Sequence, residues 1–344
     1  MRSARGVPKS MNVRLILASA LVLAPLLGAA LVANADPERP GEMATTLAAV
    51  QRPARGDAPL ARSGPAADST AVIDTLPGAL TSPEIRELWK SALAHESEYR
   101  FAASIHDYER IIALQPESGY AYSRVSRSYW RIADGLSIDQ KEERIAHLDL
   151  AEKWAQRGLD IDSECAECML WLYASMGRLI TNRGILSGAR QARTMSRLLD
   201  DAIALQPAQR DNQYNSTLGN LYYARAIWHR MVPDWFWLKW VIGVRGNKYK
   251  ALEDIDRAVQ ISGVRVDYQV ERGAVLLCLG TAKHLPERVE EGKEVLHDAL
   301  ELDHLFETDE QDVRLAEALL AGPDKACGLT RDGFIDVDSA KGKL

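Results

Sequence analysis

The sequence predicts an all-α protein built as an array of about five helix pairs. Five segments end in a similar way: residues 111–116 read Ile-Ile-Ala-Leu-Gln-Pro, residues 202–207 read Ala-Ile-Ala-Leu-Gln-Pro, and looser copies end near residues 163, 263 and 304. From residue 84 to about residue 320 the apolar residues recur at helical spacing, with no convincing alternating strand pattern. Repetition of this kind is typical of stacked supersecondary units rather than of one globular core.

The first 35 residues have the features of an export signal. Four basic residues and no acid precede an apolar run from Leu15 to Val32, and Ala33-Asn34-Ala35 follows it. This order predicts a secretory signal peptide over residues 1–35, and therefore a periplasmic or extracellular protein. The run of 18 residues approaches the roughly 20 that span a bilayer, so an uncleaved N-terminal membrane anchor is the alternative.

Residues 36–80 are rich in Pro, Gly, Ala, Ser and Thr and have little apolar periodicity, which predicts a disordered linker. Without the signal peptide, the formal net charge changes from −6 to −10. An acidic chain does not suit nucleic acid, because phosphate binding needs clustered Lys and Arg. The same charge argues against broad binding to anionic membranes.

The helical repeat domain is expected over residues 81–321. Its first helix should begin at Ser82-Pro83, since Ser is a good cap and Pro suits the first helical position. Residues 322–344 carry four glycines, one proline and scattered charges, which predicts a flexible tail. The spacing of apolar residues predicts helices near 84–97, 101–114, 118–134, 140–160, 165–182, 189–205, 211–231, 247–261, 266–280, 287–302 and 308–321.

The second helix of most pairs carries a small residue, then an apolar or aromatic residue four positions later, then a small residue three positions after that. The triplets, each degenerate, are Ser104/Tyr108/Ile111, Ala151/Ala155/Gly158, Met195/Leu199/Ala202, Ala251/Ile255/Ala258 and Gly292/Leu296/Ala299. This pattern resembles the tetratricopeptide repeat, in which small residues let helix axes approach closely. The resemblance implies an α-solenoid of helix pairs that binds other molecules along its inner face.

The repeat spacing is long and uneven. Successive steps from Ile111 are 47, 44, 56 and 41 residues, against about 34 in a standard tetratricopeptide repeat. Residues 120–305 are similar to the bacterial relatives of the regulator-of-microtubule-dynamics group, and more distantly to the T-component lipoproteins of TRAP transporters. That resemblance implies a helical adaptor fold and carries no catalytic motif.

Cys165-Ala166-Glu167-Cys168 is the sharpest local motif. In an exported protein a C-x-x-C pair is a disulfide, a redox pair or half of a metal site. Met169 stands where haem attachment needs His, and Cys278 and Cys327 do not form a second C-x-x-C. A small structural disulfide, or two buried thiols at a helix start, is the favoured interpretation. No metal and no cofactor are expected.

Residues 231–242 form the most unusual stretch and fall in the longest repeat step. Trp235, Phe236, Trp237 and Trp240 lie within six residues of one another. The favoured interpretation is a plug on the inner face, because so much apolar area seldom stays exposed in a monomer. The alternative is a loop that docks a partner or lies in a membrane interface. Together with Trp130 and Tyr222 from the predicted first helices, these four residues are the candidate partner-binding set.

Three functions fit these observations. The first is a non-enzymatic, exported adaptor that binds a protein or peptide partner on its helical surface. The second is a periplasmic component that binds small organic acids for a transporter, and an apolar pore between the helices would favour it. The third is a thiol redox protein that uses Cys165 and Cys168. Membrane contact is expected only through the N-terminal segment or the tryptophan-rich stretch.

Overall fold

The computed structural model describes residues 82–183 and 185–335. The predicted signal peptide, the predicted linker and residues 336–344 of the predicted tail lie outside these ranges. Within them the chain is mainly α-helical, which confirms the all-α class. The helices are α1 (Pro83–Ser97), α2 (Phe101–Leu114), α3 (Gly119–Gly135), α4 (Lys141–Ile161), α5 (Ala166–Arg183), α6 (Ile185–Ala204), α7 (Thr217–Met231), α8 (Leu238–Val241), α9 (Lys248–Ser262), α10 (Val266–Lys283), α11 (Pro286–Leu300) and α12 (Asp309–Ala321).

Local sequence accounts for several helix boundaries. Ser82 caps α1 by accepting a hydrogen bond from the backbone N–H of Ile85 at 3.2 Å, and Pro83 occupies the first turn, as predicted. Asn247 caps α9 by accepting from two backbone N–H groups at 3.1 and 3.2 Å. Such caps satisfy helix donors that have no partner within the helix.

The helix expected over residues 211–231 begins later, at Thr217. Residues before it form two short antiparallel strands, β1 (Arg210–Asn212) and β2 (Asn215–Ser216). The Asn212 side chain accepts from the backbone N–H of Tyr214 at 2.8 Å, and this local turn competes with helix formation. The short helix α8, inside the tryptophan-rich stretch, was also not predicted.

Neighbouring helices pack against one another, and a second set of contacts joins alternate helices. Helix α3 contacts α5, α5 contacts α7, α7 contacts α10, and α10 contacts α12. Buried apolar side chains form successive clusters along the chain, the first between Ile85 and Trp154 and the last between Val266 and Ala326. The alternate helices therefore form a continuous wall, and each part of the chain packs mostly on its neighbours.

Glycines allow the closest helix contacts. A Cβ atom added at Gly273 on α10 would lie 2.5 Å from Leu296 Cγ on α11, and one added at Gly158 on α4 would lie 2.5 Å from Cys168 Sγ on α5. Both distances are far below ordinary contact. Gly273 and Gly158 are therefore required for packing. The small-residue pattern in the sequence implied such a role for Gly158, and likewise for Gly292.

A glycine-to-alanine pair tests this packing. Gly273→Ala should lower the free energy of unfolding by about 1–3 kcal/mol, because the added methyl group overpacks the α10–α11 contact. Gly177, in the middle of α5, is the matched control, since its added Cβ would meet nothing nearer than 3.8 Å. Gly177→Ala should be neutral or stabilise by up to about 1 kcal/mol, the usual helix gain. Urea unfolding measures both; equal effects would contradict the packing.

The first part of the predicted flexible tail has regular structure. Residues Pro323–Lys325 form a 3-10 helix, and β3 (Leu329–Thr330) pairs with β4 (Gly333–Phe334). A disulfide joins Cys327 to Cys278 on α10. Buried Arg230, which pairs with Glu271 at 2.7 Å, also donates to the carbonyl oxygen of Ala326 at 2.6 Å. The disulfide and the hydrogen bond from Arg230 thus hold this segment against residues that are distant in sequence.

Candidate functional site: an internal cavity

A cavity of about 430 Å³ lies among α3, α5, α6, α7 and α10. This volume is within the range of small-ligand sites. The tryptophan-rich stretch adds Val232, Pro233 and Leu238 to the lining, and the C-terminal hairpin adds Arg331 and Asp332. The surface formed by these helices is therefore partly covered by two connecting segments, and the space between can hold a small molecule.

One part of the lining is apolar. It belongs to a single buried cluster in which side chains from α5, α6 and α7 meet the loop that follows α7. Members of this cluster that also line the cavity include Leu170, Ile180, Ala192, Trp228, Ile242 and Val244. Ala174 on α5 lines the cavity as well. A hydrocarbon group placed against this surface would be removed from water at a gain of about 25 cal/mol per Å².

The other part of the lining is charged and arginine-rich. Two ion-pair networks at the cavity each contain one more arginine than aspartate. In the first, Arg124 and Arg127 share Asp211. In the second, four arginines share three aspartates: Arg131, Arg144, Arg178 and Arg331 with Asp134, Asp312 and Asp332. The pairs Arg230–Glu271 and Arg265–Asp267 also line the cavity and are balanced. The lining also contains Glu167, whose carboxylate accepts hydrogen bonds from Trp171 and Thr217.

The buried carboxylates respond to these arginines in different ways. Burial alone raises the pKa of Asp134, but the charges of Arg178, Arg331 and Arg131 outweigh that effect and hold the pKa below its ordinary value. Burial also raises the pKa of Asp312, and the nearby charges of Asp267 and Asp309 raise it further, so that Arg331 does not compensate and the pKa reaches about 7. Asp134 is therefore ionised at neutral pH, whereas Asp312 takes up a proton more readily than an ordinary aspartate.

Two arginines on α3, Arg127 and Arg131, have guanidinium N–H groups that their ion pairs do not use. Arg131 lies 4.0 Å from Asp134, which already pairs with Arg178 at 2.8 Å, and it makes no hydrogen bond to any residue in the described ranges. Burial lowers the pKa of Arg131. Arg127 uses one nitrogen to bind Asp211 and lies over the ring of Trp171, 5.8 Å from its centre. Both arginines line the cavity. They are four residues apart in sequence, so they lie on the same face of the helix.

The structure separates the predicted partner-binding residues. Trp130 lines the cavity, with its ring centre 5.6 Å from that of Trp171 and the Arg178 guanidinium 5.4 Å above it. Tyr222 does not line it: this side chain packs between two core clusters, under the guanidinium of Arg225. Sequence reasoning missed Arg127 and Arg131, although Arg124, Arg127 and Arg131 share one helix face by their spacing.

The tryptophan-rich stretch has two faces. Leu238 is buried and faces the cavity, while Phe236 and Trp240 are 73% and 85% exposed. Trp235 and Trp237 are half-buried and stack on each other with ring centres 5.2 Å apart. The plug and the exposed loop expected from the sequence are thus combined in one segment.

Cys165 and Cys168 form a disulfide at the start of α5. Both side chains are buried, and Gly158 of α4 packs on Cys168. Among the residues that the structure describes, no three His, Cys, Asp or Glu side chains are placed to hold a metal ion. None of the described helices combines the length and the apolar character that a membrane crossing requires.

Comparison with known proteins adds no family. No model of a known protein family matches the chain, and no curated protein matches it either. The function of the cavity must therefore be inferred from its geometry and chemistry alone.

Proposed function

We propose that this protein binds a small amphiphilic organic anion in its half-open cavity and releases it unchanged. One observation carries the proposal: the cavity joins an apolar wall to two arginines that have unused donors. A hydrocarbon body would lie against Ala174 and Trp228, and a carboxylate would accept hydrogen bonds from Arg127 and Arg131. Arg suits this role because its planar guanidinium can bind a carboxylate through two donors.

We further propose that the helices form a tetratricopeptide-like array. The contacts between alternate helices support this, because first helices of successive pairs line the inner face of such arrays. Export to an oxidising compartment is the expected setting. Two disulfides, Cys165–Cys168 and Cys278–Cys327, support it, since disulfides persist mainly outside the cytosol.

The adaptor and redox functions expected from the sequence are less well supported. The C-terminal hairpin lies across part of the inner face, where Arg331 and Asp332 pair with α3, α4, α5 and α12, so a peptide would compete with it for that surface. A redox pair needs an accessible sulfur, whereas Cys165 is 6% exposed and Cys168 is fully buried.

Titration calorimetry with straight-chain carboxylates and alcohols of equal length tests the proposal. The carboxylate should bind at least about tenfold more tightly than the alcohol, a difference of about 1.4 kcal/mol. Arg131→Gln should remove most of that preference, because it deletes the guanidinium and leaves the apolar wall intact.

Arg183 supplies the matched control for this experiment. It forms an exposed pair with Asp149, and its side chain is 43% exposed. Arg183→Gln should leave both affinities unchanged. Equal affinity for carboxylate and alcohol in the unaltered protein would contradict the assignment of an anion site.

A further inference from the structure

We propose that residues 235–241 form a docking surface for the interfacial region of a lipid bilayer. Phe236, Trp240 and Val241 are 73%, 85% and 58% exposed. Lys239, between them, is also exposed. Other exposed apolar side chains in the described ranges, such as Leu114 and Ile161, are scattered singly along the chain. Three within six residues are a local concentration of exposed apolar side chains, of the kind that marks an interaction site.

The fold holds this surface outward. Lys248 Nζ donates to the carbonyl oxygens of Arg230 and Val232 at 2.6 and 2.7 Å, and the backbone N–H of Gly246 donates to Pro233 O at 2.9 Å. Arg193 Nε donates to Ile242 O at 2.7 Å from α6. Both ends of the stretch are thus fastened to helices, and Leu238 is buried between the exposed residues. The exposure therefore follows from the folded structure.

The chemistry of the surface favours lipid over protein. A stable protein interface uses roughly 20–30 residues on each side, whereas this surface consists of a few side chains on one short loop. Tryptophan favours the boundary between lipid head groups and acyl chains, where its ring is apolar and its N–H is wet. Lys239 lies between the apolar residues in sequence, and Arg245 donates to the carbonyl oxygen of Asp234 just before them. Both side chains are exposed, so their charges are available to lipid phosphate.

Docking here would bring the cavity next to lipid, because the same stretch lines the cavity through Val232 and Leu238. The docking surface itself does not depend on the proposed ligand. If both proposals hold, an amphiphile could pass from the bilayer into the cavity beside this loop.

The test uses the full chain and vesicles of phosphatidylcholine, alone or with one quarter phosphatidylglycerol, some carrying brominated acyl chains that quench nearby tryptophan. Subtracting the emission of Trp240→Phe, which keeps an aromatic ring, isolates the signal of Trp240. We expect brominated lipid to quench that signal at least twofold. The predicted N-terminal apolar segment is present in both proteins, so its own binding cancels in the comparison.

A second variant measures the contribution to binding. Phe236→Ser combined with Trp240→Ser should lower the vesicle partition coefficient at least threefold, whereas Leu114→Ser combined with Ile161→Ser should not change it. An unquenched Trp240 signal, or equal partitioning of the double variants, would overturn the proposal. Loss of a protein partner by the Phe236/Trp240 variant without any quenching would assign the surface to that protein instead.

Failure of this proposal can be told apart from failure of the ligand proposal. Phe236 and Trp240 do not line the cavity. Carboxylate binding measured without vesicles should therefore be the same in the Phe236→Ser/Trp240→Ser variant and in the unaltered protein, whatever the vesicle result.

Discussion

Replacing Asp211 with asparagine is expected to lower the free energy of unfolding by about 3–5 kcal/mol, because it leaves buried arginines without their counter-charge. Asp211 receives two hydrogen bonds from Arg124, at 2.8 and 3.2 Å, and one from Arg127. The side chain of Arg124 is completely buried. These bonds join β1 to α3 across 87 residues of sequence, so their loss should affect the packing of both elements.

Asp149→Asn is the matched control. Asp149 pairs with Arg183 at 2.5 Å, but both side chains are more than 40% exposed. An exposed pair contributes about 0–1 kcal/mol, and the control should lie in that range. Urea unfolding at neutral pH measures both variants. A loss below about 1 kcal/mol for Asp211→Asn would show that Arg124 finds another partner.

The same aspartate should make stability depend on pH. Burial would raise the pKa of Asp211, but the charges of Arg124 and Arg127 and their hydrogen bonds outweigh it and hold the pKa well below its ordinary value. Its stabilisation is therefore complete above the unfolded-state pKa of about 3.9 and is lost as pH falls toward the native pKa. Between pH 5 and pH 3 the unaltered protein should lose more stability than Asp211→Asn.

Filling the cavity is expected to weaken ligand binding strongly. Ala174 on α5 lines the cavity and is partly accessible. In Ala174→Trp the indole would occupy the space proposed for the hydrocarbon body, so affinity for a medium-chain carboxylate should fall at least about tenfold, or about 1.4 kcal/mol. Calorimetric titration measures the affinity, and circular dichroism checks that the helices remain.

Ala146→Trp controls for the general effect of a large side chain. Ala146 lies on the exposed face of α4 and does not line the cavity. This variant should bind the carboxylate as the unaltered protein does. If Ala174→Trp also binds normally, the ligand lies somewhere other than the cavity.

Much of the fold could be predicted because it depends on local pattern. Apolar spacing placed each expected helix, and the Ser82-Pro83 signal marked the first helix start. The failures involve contacts between residues distant in sequence, in addition to the local turn at Asn212. The strand at Arg210–Asn212 is held by the contact of Asp211 with Arg124, and residues after 322 are fastened by Cys278–Cys327. Neither partner can be identified from sequence spacing.

The candidate site was harder to predict. Their aromatic character made Trp130 and the tryptophan-rich stretch candidate partner-binding residues, and both border the cavity. The sequence did not single out the arginines, because an arginine-rich helix face is usually exposed to solvent. Only the folded chain shows that Arg124 is fully buried while Arg131 has no hydrogen bond among the described residues.

Native mass spectrometry of the protein with dodecanoate, a twelve-carbon carboxylate, tests the central claim most directly. We predict one bound dodecanoate per chain for the unaltered protein and for Ala146→Trp, and none for Ala174→Trp. Absence of the one-to-one complex in the unaltered protein, or an equal amount of it in Ala174→Trp, would contradict a binding site in the internal cavity.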